Sequence, residues 1–499
     1  MTLEKTIFSE HLQYFEQTLK HLFREKYDID TLSLERGLPK ELLKGIMDMQ
    51  PLSVAIPEAY EGRGSKVKEC LGILAAASYE SLPLSLTFGI NIALFLEPIA
   101  KYGDESIKKA IFDRFLNHNN MGGLMITEPD YGSDALNMKT TNETVPGGYH
   151  IKGVKHWQGL TGMADYWLIA SRTKNADGNL GRDIDLFLCD VTAPGQHINV
   201  TELYDNAGLY MIPYGRNELD ITVPANHRLT PETTGIKMML DILHRSRMQF
   251  PGMGMGFIKR MLDEATMHCQ NRIVGNSNLL ALDNVQFQIS KIQAAYTICS
   301  AMCVRSSKIS GIEHNLATEG LEANTMKAVV TDLMQESAHT LVQLSGSKGY
   351  KTSHIGGRGI MDSRPFQIFE GSNEMLYAQI SEMVTRLMKK QKQSNLFAFL
   401  KEFEPTSTAA DHFKADLTFS LSENLPQRKQ VELGRIIARV ICAGYVLALQ
   451  DKGFNKLLAE SCIVMIRQEV AALISALKFD NTVQVVASYP TDSSWLDFA

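Results

Sequence analysis

Three stretches of the chain carry residue types that could do chemistry. The first runs from Pro365 to Glu374 (PFQIFEGSNE), where Glu370 follows an apolar run and precedes Gly371 and Ser372. An apolar setting disfavours a charged carboxylate and raises its pKa, which suits a general base. Gly371 lets the backbone turn, or approach a ligand, where a Cβ would obstruct it. On spacing alone, a carboxylate opening a polar helix turn is the simpler reading. The second stretch is Met125 to Asp134 (MITEPDYGSD). Backbone amides around Gly132 and Ser133, with the Thr127 and Ser133 hydroxyls, offer donors to a polar, partly anionic ligand. A capped turn explains the same residues without a ligand. The third is Lys155 to Gly162 (KHWQGLTG), in which Trp157 at a strand end could pack on a planar cofactor or simply fill a core.

These stretches need elements to place them. Residues 1 to about 120 show apolar positions at helical spacing, as in Phe8 to Phe23, with Gly103 as a helix stop after Leu84 to Tyr102. From 121 to about 230 the pattern becomes short alternating runs with turn signals, such as Tyr166 to Ser171 and Asn217 to Val223, which predicts a β domain of sandwich or barrel type. No strand alternates with a long helix, so a doubly wound dinucleotide fold is not expected. Helical periodicity returns from about 232 to 391. Pro251, with Gly252, Gly254 and Gly256, is expected to kink or break it. The segments 257–272, 282–308, 321–344 and 374–390 are long enough for a bundle, and 345–360 reads as a glycine-rich loop.

The expected organisation is therefore α+β and multidomain. An N-terminal all-α domain occupies 1–120, a middle β-sandwich or barrel domain 121–232, a four-helix bundle 233–392 and a helical extension 393–499. The 499 residues exceed one ordinary core. A net charge of −6 favours neither nucleic acid nor an anionic membrane as main partner. No basic head precedes an apolar run at Met1 to Thr6, and no apolar stretch reaches spanning length. The longest candidate, Ile436 to Leu449, is interrupted by Arg439. The seven cysteines are scattered, without CxxC and without metal-ligand spacing. A reduced, cytoplasmic protein without a metal is expected.

The order and spacing of several motifs resemble the acyl-CoA dehydrogenase family of flavoproteins over roughly residues 5 to 390. The matching residues are Ile126 to Asp134, Lys155 to Trp157 followed by Ala164 and Asp165, and the strand Tyr166 to Ser171. Arg247, Leu262 to Ala265, Arg272, Val342 to Gly346 and Gln367 to Gly371 complete the set. The resemblance implies FAD as cofactor and α,β-dehydrogenation of an acyl-CoA thioester to the trans-2-enoyl-CoA. It also implies an electron-transfer flavoprotein as acceptor and a homodimer or homotetramer. Glu370 falls on the family's base, removing the α proton while its own backbone N–H helps bind the thioester carbonyl. Some branches place the base just before the arginine matched by Arg247. That position is Ser246 here, so one candidate base remains.

By the same resemblance, Ile126, Thr127 and Gly132 line the flavin ring, Ser133 lies near the flavin or the CoA tail, and Trp157 packs by the isoalloxazine. Arg247, Phe369 and Gly371 face the substrate. Arg272 meets the flavin pyrophosphate from the partner subunit, a use suited to a guanidinium. Gln343 and Gly346 approach the adenosine half across the dimer, and Ser372 and Glu374 follow the base where the family binds FAD. The chain departs from the family at Gln158-Gly159-Leu160, leaving Thr161 as the nearest hydroxyl for the flavin. It departs again at Gly275-Asn276, at His244 and at Ser347. From 393 on there are ten Lys/Arg against twelve Asp/Glu, so the extension has no basic face, and a packing or oligomer role is expected. The alternatives are a flavin oxidase or monooxygenase of the same fold, or a flavin-binding relative of the DNA-damage-associated branch.

Overall fold

The architecture follows from a computed structural model that describes residues 7–499 except 176, 423, 481, 482, 490 and 492. The amphipathic N-terminal stretch forms α1 (Phe8–His21), which buries Phe15 and Leu19. It packs near α2 (Val67–Glu80) and α3 (Leu82–Asn91). The Ser81 hydroxyl caps α3 by accepting from the Leu84 N–H at 3.3 Å, with Pro83 in the first turn. The helix then runs on through a π turn to Tyr102. Residues Leu82–Tyr102 correct one expectation. This stretch of 21 residues, with mean hydropathy 1.5, is long and apolar enough to cross a membrane. However, 94% of its apolar window is buried inside the protein, where α3 is the centre of a core. α4 (Glu105–Asn117) closes this helical region.

The middle region is one seven-stranded sheet curled into a half-barrel. Its strands are β1 (Gly122–Met125), β2 (Thr141–Val145), β3 (Gly148–Gly159), β4 (Tyr166–Thr173), β5 (Asp185–Asp190), β6 (Asn199–Leu203) and β7 (Tyr214–Pro224). They lie in the order β1-β4-β2-β3-β7-β6, with β5 also on β4. β1 pairs β4 in parallel, and β3 pairs β7 antiparallel until the register shifts between His156 and Gln158. The extra residue at that bulge is Trp157.

Seven helices of the second helical half and its extension surround the site. α5 (Gly235–Asn271) is one continuous helix of 37 residues that contains Pro251. The expected break at Pro251 does not occur, and packing explains why. A Cβ at Gly256 would lie 1.9 Å from the Ala75 carbonyl oxygen, and one at Gly254 2.3 Å from a Val330 methyl. The glycines let α2 and the helix carrying Val330 close onto the segment around the proline, and this tertiary contact outweighs local propensity. α6 (Asp283–Ile309), α7 (Gly320–Ser345) and α9 (Asn373–Lys390) complete the bundle. Part of the expected 345–360 loop is helical, as α8 (Ile355–Ser363). The extension contributes α10 (Gln427–Gln450) and α11 (Lys456–Lys478), which share the bundle's hydrophobic core. The Tyr445 hydroxyl donates to Glu322 on α7 at 2.9 Å, and the Cys462 thiol to the Ala294 carbonyl on α6 at 3.5 Å.

Candidate active site

The loop between α8 and α9 presents Glu370. Its φ is 52°, and that of Gly371 is 94°, so two consecutive residues occupy the left-handed region. For a glutamate this conformation costs free energy and persists only where surroundings hold it, a pattern common at functional sites. A Cβ at Gly371 would sit 2.8 Å from the Met375 methyl and 3.4 Å from Arg247 Nη2, so only glycine fits there.

The surroundings that hold the loop come from α5 and α7. Arg247 donates from Nε and Nη2 to the Glu370 carbonyl oxygen at 3.1 and 2.7 Å, and from Nη1 to Asn324 at 2.7 Å. Lys327 donates to the Gly371 carbonyl at 2.7 Å and to Asn373 Oδ1 at 2.9 Å. Ser246 donates to Glu370 Oε1 at 2.8 Å. Glu370 Oε2 is buried and accepts no hydrogen bond among the described residues. Burial pushes the Glu370 carboxyl above its ordinary value, against the opposing pull of Arg247, Ser246 and Lys327. Burial also drives the Lys327 ammonium down to about 7, although Glu370 draws it the other way. The result is a carboxylate with one oxygen fixed by Ser246 and the other buried without a donor among the described residues.

Phe369, half-buried, packs on Phe366 at 4.9 Å between ring centres and on Phe250 at 6.2 Å. This aromatic wall supplies the low-polarity setting that the sequence pattern implied. Ser372 caps α9 by accepting from the Met375 N–H at 3.4 Å, and Glu374 is exposed in its first turn. Behind the loop, Asp332 accepts from Gln367 and from Asn373 at 2.7 Å each on Oδ1, and from the Tyr377 hydroxyl at 2.7 Å on Oδ2. Lys327, Asn324, Asp332 and Tyr377 were not singled out in the sequence. The signal was there: Lys327 and Asp332 are the two charged residues of the helical run from Ala323 to Leu333 and must find partners when buried.

The β domain supplies a different surface. Ile126 and Thr127 follow β1, half-buried. Their carbonyls accept from Lys155 Nζ at 2.9 Å and from the His156 N–H at 3.0 Å. A buried ion pair between Lys155 and Glu128, 2.9 Å long, locks this loop to β3. Gly132 and Ser133 are exposed beyond it, and a Cβ at Gly132 would meet nothing within 4 Å. Trp157 is 51% exposed with φ 60°, and its ring lies against Tyr204 at 4.5 Å and Tyr214 at 6.2 Å. A large ring held half out of the surface in a left-handed bulge offers a face to a planar molecule. Thr161 is buried: its hydroxyl donates to the Gln158 carbonyl at 2.8 Å and accepts from Asn217 at 3.1 Å, and its N–H donates to the Pro213 carbonyl.

The loop that carries Tyr204 also ties the β domain to the helices before Glu370. The Leu209 N–H donates to Asp362 on α8 at 2.6 Å, and a Cβ at Gly208 would lie 2.5 Å from the Met361 carbonyl oxygen. Arg272, Gln343 and Gly346 lie exposed at the C-terminal ends of α5 and α7. Leu262, Cys269 and Leu344 join those two helix ends in a small apolar cluster, so the three residues share one end of the bundle. His244 is buried, bonded to the Leu316 carbonyl at 2.8 Å, and burial pushes its imidazole down to about 4, so it is neutral at pH 7.

Comparison with known proteins matches three family models in chain order. They are the acyl-CoA dehydrogenase N-terminal domain over 9–119, the middle domain over 123–221 and the C-terminal domain over 233–385. The chain is similar to the short-chain specific acyl-CoA dehydrogenase of Rattus norvegicus mitochondria, 24% identical over 345 residues, covering 69% of this chain and 82% of the relative. Among solved structures, an acyl-CoA dehydrogenase from Bacillus anthracis complexed with FAD superposes with a TM-score of 0.75 at 18% identity, covering 96% of this chain and 89% of that one. The prolyl acyl carrier protein oxidase AnaB superposes with a TM-score of 0.68 at 17% identity, covering 75% of this chain and 98% of that one.

Proposed function

Because the chain belongs to the acyl-CoA dehydrogenase family, we propose that it is an FAD-dependent oxidoreductase that dehydrogenates an acyl-CoA thioester between Cα and Cβ, with Glu370 as the base. The observation that carries this reading is the unpaired, buried Oε2 of Glu370, on a carboxyl whose affinity for a proton is raised by burial. The half-exposed Trp157 platform and the open backbone at Gly132 fit a planar, hydrogen-bonding cofactor. Ile126, Thr127, Gly132, Ser133 and Trp157 would hold the FAD ring. From a second subunit, Arg272, Gln343 and Gly346 would hold its other half, which accords with their exposure in the single chain. FAD supplies the hydride acceptor when bound.

The protein's own part is then to bind, orient and deprotonate. Arg247 and Lys327 hold the Glu370 carbonyl and the Gly371 carbonyl that follows it, so three donor contacts fix the backbone that carries the carboxyl. Ser246 fixes Oε1 and leaves Oε2 to take the α proton. The Glu370 N–H binds the thioester carbonyl, where negative charge develops. The electrons leave to an electron-transfer flavoprotein. A panel of acyl-CoA substrates with an artificial electron acceptor tests the reading: turnover with one chain-length class supports it, and no turnover with any contradicts it.

The likeness to AnaB supports a second reading, a flavin oxidase. Rapid reoxidation of the reduced protein in air, with hydrogen peroxide formed, would favour it. A DNA-damage-associated role has less support, since the net charge of −6 opposes duplex binding.

A further inference from the structure

The residues behind the base loop lead out of the bundle and into the C-terminal extension. Asp332 on α7 gathers the loop from both sides, accepting from Gln367, three residues before Glu370, and from Asn373, three residues after it. Its other oxygen accepts from the hydroxyl of Tyr377 on α9. The Tyr377 ring in turn lies 5.5 Å from the guanidinium carbon of Arg435 on α10. One residue earlier, a Cβ on Gly434 would lie 1.9 Å from the Tyr377 carbonyl oxygen, so α10 and α9 touch backbone to backbone at this point. Asp332 and Gln367 line a half-open cavity of about 650 Å³ whose other walls carry Arg435, Arg439 and Glu469 of the extension. The support of the base loop is therefore completed by residues outside the region that matches the family models, which ends at 385.

We propose that Asp332, Tyr377 and Arg435 are positioning residues for Glu370, so that the C-terminal extension takes part in presenting the base. The proposal rests on the reading of Glu370 as that base. Removing the Tyr377 hydroxyl leaves Asp332 Oδ2 without its donor and frees one anchor of the loop. Removing the Arg435 guanidinium takes away the cation that packs on the ring carrying the hydroxyl. Each change loosens the same contact chain, so their effects overlap rather than add.

The test uses the full-length, FAD-loaded protein and compares Tyr377→Phe, Arg435→Met and the double variant, with Arg467→Ala on the exposed face of α11 as the charge-loss control. Flavin content and thermal melting are measured beside kcat, KM and the pH profile. Each single variant should lower kcat roughly 10-fold with KM within about two-fold, as expected when a reacting group is displaced without loss of binding. Arg435→Lys should recover part of the loss. The acid limb of the profile should move to lower pH, because a looser loop admits water and relieves the burial that raises the carboxyl; Arg247 from α5 and Lys327 from α7 still face it. The double variant should be no worse than the worse single one. Unchanged kcat and acid limb in both single variants, or effects that multiply in the double variant, would overturn the proposal. Glu370→Gln separates the two levels: if it is inactive while these variants are unaffected, only the positioning role fails, and if it stays active, the base assignment fails with it.

Discussion

The Ser246 hydroxyl donates to Glu370 Oε1 at 2.8 Å, from the residue directly before the Arg247 whose guanidinium holds the Glu370 carbonyl. One turn of α5 therefore fixes both the backbone and one carboxylate oxygen of Glu370, and Lys327 fixes the following carbonyl from α7.

Ser246 and Lys327 both favour the charged form of Glu370, one by a hydrogen bond and the other by its charge. Removing either should raise the carboxyl further. Ser246→Ala, which leaves the backbone anchors of the loop in place, is expected to move the acid limb of kcat/KM to higher pH, opposite in sign to Tyr377→Phe. A pH profile between 5 and 9 checks this, and a downward shift would show that the Ser246 contact does not favour the charged form.

Stability should respond as well. The folded protein holds a proton on Glu370 more tightly than the unfolded chain does. In the pH window above the unfolded value of about 4.3, the native state therefore binds more protons, and its stability falls as pH rises through the folded pKa. Glu370→Gln removes that loss. Its Tm should match the parent at low pH and exceed it at neutral pH and above, as differential scanning calorimetry of the apo proteins would show.

Arg247→Lys keeps a positive charge but loses the fork that bonds the Glu370 carbonyl and Asn324 together. A fall in kcat of about 100-fold is expected, of the size produced by a misplaced reacting group. Steady-state kinetics with the flavin content held equal would read it.

The glycine row on α5 carries the packing argument. Gly256→Ala places a Cβ 1.9 Å from the Ala75 carbonyl oxygen, and overpacking of this kind costs about 1–3 kcal/mol. Urea denaturation should show the loss, whereas Gly147→Ala, at a turn with φ 83° and no atom within 4 Å, should lose less and only through backbone strain.

The α–β–α order and the apolar setting of Phe369 before Glu370 were legible because they rest on local pattern: helical spacing, alternating strands, and a carboxylate placed after an apolar run. What was not legible depends on partners far away in the chain. Pro251 stays helical because α2 and α7 pack onto its glycines. The Leu82 to Tyr102 helix is apolar on all sides because other helices surround it, a fact that hydropathy alone does not distinguish from a membrane span. Lys327 and Asp332 become part of the site through Asn373, Gln367 and Tyr377, more than thirty residues later. The bonds that the Thr161 hydroxyl makes to Gln158 and Asn217 likewise depend on the fold and not on local sequence.

The central claim is that Glu370 removes the proton that starts the reaction. Anaerobic mixing of the FAD-loaded protein with an acyl-CoA, followed by flavin absorbance near 450 nm, tests it most directly. The parent should bleach with an acyl-CoA of suitable chain length, and Glu370→Gln should bleach about 10⁴-fold more slowly or not at all, the range spanned by general base catalysis. A Glu370→Gln protein that bleaches at the parent's rate would contradict it.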